Sequence, residues 1–181
     1  MAHISVSPDV PGIRSLALFR PETGKPLYEL AQVLLRRPST LSAAERELIA
    51  AYVSSLNRCK FCSDSHTAAA RSLFGNEGQL VSEVLENMET AKISSKVKAL
   101  LRIAEKVQQS GRAVAPEDIE LARKEGATDQ ELHDTVLIAA TFCMFNRYVD
   151  GLATWTPTNP KMYAEMGERL ATKGYVLNQK S

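Results

Sequence analysis

Two segments of the chain open with the same reciprocal helix cap and continue with the same apolar text. Ser42-Ala43-Ala44-Glu45 and Thr128-Asp129-Gln130-Glu131 each set a hydroxyl three residues before a carboxylate, so that the two side chains satisfy each other's free backbone N–H groups at a helix start. The first cap leads into Leu48-Ile49-Ala50-Ala51 and, five residues on, Asn57-Arg58; the second leads into Leu137-Ile138-Ala139-Ala140 and, five residues on, Asn146-Arg147. Around these units Ala, Leu, Glu, Lys and Arg recur with a period near 3.6, aromatics are only 6%, and β-branched alternation is scarce. The pattern predicts an all-α fold with an internally duplicated helical unit.

Helices are expected over 27–36, 43–58, 59–73, 78–88, 95–109, 116–126, 128–148 and 162–172. Pro8, Pro11, Gly12, Pro21, Gly24 and Pro26 predict an extended N-terminal arm over 1–26. A polar C-terminal tail, 173–181, is expected to fray. The whole, 1–181, reads as a single domain.

Charge excludes several partners. With 22 Lys and Arg against 21 Asp and Glu, the formal net charge is +1, and the basic footprint of a nucleic-acid or anionic-membrane binder is missing. No apolar run approaches the ~18 residues of a membrane span. The N-terminus lacks a basic region followed by an apolar stretch, so a cytoplasmic location is expected.

A chain of 181 residues folds without a disulfide framework, so Cys59, Cys62 and Cys143 need another explanation. On a helix, Cys59, Cys62 and His66 fall at i, i+3 and i+7 and share one stripe. A nearby imidazole and the positive end of a helix dipole both favour a thiolate, the reactive form of cysteine. The dipole favours Cys59 as much as His66 favours Cys62, so spacing leaves the nucleophile open. Glu47, twelve residues before Cys59, shares its helix face with Ala50, Ala51 and Ser54. Close packing there predicts a partly desolvated carboxylate with a raised pKa, suited to proton transfer. A zinc-stabilised interaction module is the alternative from another class. It needs a fourth ligand beyond Cys59, Cys62 and His66, and only Cys143, His133, His3 or a carboxylate is on offer.

Glu47, eleven residues, Cys59-Lys60-Phe61-Cys62, three residues, His66, in an all-α chain, resembles the AhpD-like alkylhydroperoxidases of the carboxymuconolactone decarboxylase superfamily. The text of 41–49 and Asn146-Arg147-Tyr148-Val149-Asp150-Gly151-Leu152 is similar to the peroxidase-related branch, and the likeness covers about 27–170. It implies an AhpD-like helical fold and a homo-oligomer, a trimer or hexamer. It also implies a cysteine-based hydroperoxide reductase needing no haem, flavin or metal cofactor. Carried onto this chain, Cys62 attacks the peroxide, Cys59 resolves the sulfenic acid to a disulfide, His66 and Glu47 relay the proton, and a thiol-disulfide partner restores the dithiol. In well-characterised members a histidine precedes the second cysteine; Phe61 stands there in this chain. The alternative within the superfamily is a carboxymuconolactone decarboxylase-like reaction, which requires no redox pair.

Overall fold

The computed structural model describes residues 2–176. Among them are nine α-helices and no strand: α1 (Ile13–Phe19), α2 (Pro21–Arg36), α3 (Ala43–Leu56), α4 (Lys60–Phe74), α5 (Gln79–Asn87), α6 (Ser95–Gln109), α7 (Pro116–Lys124), α8 (Asp129–Gly151) and α9 (Pro160–Lys173). None of these helices is long and apolar enough to cross a membrane.

Both expected caps form. Ser42 Oγ accepts from the Glu45 N–H while the Glu45 carboxylate accepts from the Ser42 N–H at 2.7 Å, and Thr128 and Glu131 repeat the exchange. From its cap, α3 runs through the centre of the molecule with contacts to α2, α4, α5, α6 and α8. Leu48, Ile49, Ala50, Ala51 and Val53 are all buried, because a helix apolar on every side needs neighbours on every side. Each fully buried Leu or Ile there contributes about 2 kcal/mol. The apolar stretch of α8 packs on α3, and the matched asparagines meet between them. Asn57 Nδ2 donates to Asn146 Oδ1 at 2.8 Å, and Asn146 Nδ2 donates to Ser54 Oγ at 3.1 Å.

The two ends of the chain differ from expectation. In place of an extended arm over 1–26, only 2–12 and the junction residue Arg20 are non-helical among the described residues; α1 begins at Ile13 and α2 at Pro21. Pro21 occupies the first turn of α2, where its missing N–H has no intrahelical partner to lose. Gly24 reflects a close approach: a Cβ there would collide with the backbone of Ala17 on α1. The frayed tail is likewise corrected as far as 176. Lys173 ends α9, Gly174 turns the chain at φ 66°, and Tyr175 is buried. Of that tail, 177–181 lie outside the described residues.

Candidate active site

The turn between α3 and α4 sets up the site. Arg58 adopts a left-handed φ of 58°, which ends α3 and redirects the chain so that Cys59 becomes the residue capping α4. The stripe read from the sequence is therefore broken at its first member. Cys62 occupies the first turn of α4, near the positive end of the helix dipole, and His66 follows one turn later. Both cysteines are free thiols and both are buried.

Cys62 and His66 line a cavity of about 50 Å³, with Phe142 and Phe145 of α8 and Tyr28 of α2 among its other walls. That volume holds a few water-sized groups. Cys59 lies outside this lining, clustered with Phe61, Val149 and Tyr163. Its thiol is pushed far above the ordinary cysteine range, first because Cys62 hydrogen-bonds with it and then by burial. Cys59 is thus held as the neutral thiol.

Behind His66 is Glu47, fully buried on α3. Its Oε2 is 2.7 Å from His66 Nδ1, and its Oε1 accepts from Arg36 Nη2 at 2.5 Å and from the Tyr175 hydroxyl at 2.6 Å. Burial alone would raise this carboxyl, but His66, Arg36 and Tyr175 together outweigh it and hold the pKa below the usual carboxylate range. The expectation of a raised Glu47 pKa is thus overturned, since desolvation was counted without the donors that three other elements bring. An ionised Glu47 fixes the imidazole and stabilises positive charge on it. With Nδ1 so engaged, Nε2 has no hydrogen-bond partner among the described residues, and His66 borders the cavity.

Arg36 and Tyr175 were not singled out from the sequence. Arg36 ends α2, donates to Leu170 O as well as Glu47, and its guanidinium lies 5.1 Å from the centre of the Tyr175 ring. Burial, then the Glu47 charge, raises the Tyr175 hydroxyl well above its ordinary pKa, so it remains a proton donor. One cue was available: Tyr175, Val176 and Leu177 are a run of three apolar residues in an otherwise polar tail.

Phe61 is buried, its ring 6.5 Å from that of Tyr163. Above it the N-terminal segment passes at Gly12, where φ is 54° and the N–H donates to Trp155 O at 3.0 Å. A Cβ at Gly12 would overlap the Phe61 ring. Gly12→Ala is therefore expected to lower stability by roughly 1–3 kcal/mol through the positive φ and the collision together. The midpoint of urea unfolding checks it, and an unchanged midpoint would mean that the segment does not press on Phe61. Of the other residues considered for zinc, His133 bonds Asp134 on the surface and Cys143 lies against Asn57. No three His, Cys, Asp or Glu side chains converge to hold a metal ion among the described residues.

Residues 21–106 match the carboxymuconolactone decarboxylase family. No curated protein matches the chain. Among solved structures, it is similar to an uncharacterised peroxidase-related protein with an alkylhydroperoxidase AhpD core from Ralstonia eutropha JMP134. The two share 26% identity at a TM-score of 0.77, over 88% of this chain and 82% of the other. An uncharacterised peroxidase-related protein from Silicibacter sp. TM1040 shares 28% identity at a TM-score of 0.77, over 86% and 79% of the two chains. A protein of unknown function from Agrobacterium tumefaciens, at 20% identity and a TM-score of 0.71 over 88% of this chain and 100% of the other, shares the fold. The family match over 21–106 and the helical likeness to the two peroxidase-related structures together support the AhpD-like, carboxymuconolactone decarboxylase superfamily for this chain.

Proposed function

We propose that the protein is a dithiol-dependent hydroperoxide reductase in which Cys62 is the attacking thiolate and Cys59 the resolving thiol. The observation that carries this reading is the shared cavity of Cys62 and His66, with an ionised Glu47 behind the imidazole and Cys59 outside the cavity.

The chemistry follows from those positions. His66 Nε2 accepts the Cys62 proton, and Glu47 stabilises the resulting imidazolium. The thiolate attacks the terminal peroxide oxygen; an S–O bond forms, the O–O bond breaks, and the departing alkoxide takes the proton from His66 to leave as the alcohol. Cys62 is now a sulfenic acid. The Cys59 sulfur attacks it, hydroxide leaves with the Cys59 proton as water, and the disulfide remains. An external dithiol reduces that disulfide by exchange. The proton route uses His66 and Glu47 alone, because Phe61 offers no proton-carrying group and Tyr175 keeps its own proton.

The test is the mass of the reduced protein before and after one equivalent of an alkyl hydroperoxide. A loss of about two mass units is expected for the disulfide, and a gain of about sixteen in Cys59→Ser, where the sulfenic acid cannot be resolved. An unchanged mass in both would overturn the reading.

A further inference from the structure

The reductase chemistry uses Cys62 and His66; other residues lining the same cavity have a character of their own. The permanently charged residues lining the cavity are Arg14 of α1 and Arg169 of α9, and no acidic side chain joins them there. Neither arginine has an ion-pair partner among the described residues. Arg14 is exposed and Arg169 half-buried, so the pair marks the side open to solvent.

Tyr28 of α2, only 8% exposed, lines the same cavity. Its hydroxyl has no hydrogen-bond partner among the described residues. That hydroxyl is not fully sealed from solvent, and Tyr28 lines the cavity. Arg14, Arg169 and Cys62 all lie within electrostatic reach of that hydroxyl. Burial raises it to about 12, so it is a hydrogen-bond donor at any physiological pH. An unpartnered donor and two unpaired guanidinium groups, on the rim of an otherwise apolar cavity, suit an anionic group attached to an apolar body. A carboxylate matches them: a guanidinium binds it through paired N–H donors, and a phenol adds a further hydrogen bond.

We infer that Arg14, Arg169 and Tyr28 form a carboxylate-binding subsite, and that the substrate is an organic hydroperoxide carrying a carboxylate on an apolar body. Its peroxide enters the cavity toward Cys62 while its carboxylate stays at the arginine rim. The substrate assignment rests on the reductase reading; the subsite does not, since it would bind the alcohol product equally through its carboxylate.

The experiment compares cumene hydroperoxide with its 4-carboxylate derivative, which share a body and differ in charge. For the wild-type protein, kcat/KM is expected to favour the carboxylate by roughly tenfold, the effect of one charge-assisted hydrogen bond at a half-exposed site. In Arg14→Gln/Arg169→Gln that ratio is expected to fall to near one, and in Tyr28→Phe to fall by a few-fold. Calorimetry with the carboxylated alcohol product, which involves no thiol chemistry, is run alongside on wild type and the double variant. Equal use of both peroxides, or a preference that survives the double variant, would overturn the subsite while leaving the reductase intact. Arginine-dependent binding of the alcohol carboxylate without consumption of either peroxide would uphold the subsite and overturn the reductase.

Discussion

Cys62→Ser is expected to reduce peroxide consumption to the uncatalysed background, a loss of roughly a thousandfold or more, because a serine hydroxyl near neutral pH supplies almost no anion to attack the O–O bond. Cys59 cannot substitute. It lies outside the cavity, and burial, which persists without the Cys62 thiol, raises its own pKa. Cys59→Ser, by contrast, is expected to complete the first half-reaction and stall at the sulfenic acid. A peroxide-consumption assay with an external dithiol, paired with sulfenic-acid trapping, separates the two variants. Retained turnover in Cys62→Ser together with its loss in Cys59→Ser would transfer the attacking role to Cys59.

Glu47→Gln has the largest expected effect on stability. Arg36, His66 and Tyr175 all direct donors at this one carboxylate, and its side chain is fully buried. An amide of the same shape removes the negative charge and turns an N–H₂ toward groups that are themselves donors. A loss of about 3 kcal/mol is expected at neutral pH, the lower end of what breaking a buried ion pair costs. The pH dependence has a definite sign. Since the folded-state pKa of Glu47 lies below its unfolded value, its stabilisation is complete above the unfolded carboxylate pKa of about 4.3. It is lost as pH falls through the folded-state pKa. Wild type and variant are therefore expected to differ fully at neutral pH and to converge only in acid, as read by urea unfolding at several pH values. Tyr175→Phe, which removes one donor and keeps the ring, is expected to cost only about 1 kcal/mol. A Glu47→Gln variant as stable as wild type at neutral pH would mean that Glu47 does not carry the charge assigned to it.

This second expectation shows where local reading stops. The position of Glu47 on a helix face of small residues correctly indicated burial, and burial by itself raises a carboxyl pKa. The sign was reversed by Arg36 from the end of α2, Tyr175 from beyond α9 and His66 from α4, which no spacing rule connects. A similar limit appears at the cysteines. Their i, i+3 spacing suggested one shared helix face, but a single left-handed residue, Arg58, made Cys59 a cap and left Cys62 alone with His66 at the cavity.

What the sequence determined by itself is whatever depends on near neighbours in the chain. Helix type and starts belong here: reciprocal caps act over three residues, and helical periodicity over a few turns, so α3 and α8 begin where Ser42 and Thr128 say they must. The joint presence of Glu47, Cys59, Cys62 and His66 was legible too, through their spacing. The tertiary structure decided the rest. It folded the Pro- and Gly-rich start of the chain into α1 and α2, because Gly24 gains a close helix contact that local propensity does not register. It also drew Tyr175 out of a polar tail onto Glu47 and set the charge of the site. Burial and electrostatics are sums over everything that surrounds a group, and most of what surrounds Glu47 lies far from it along the chain.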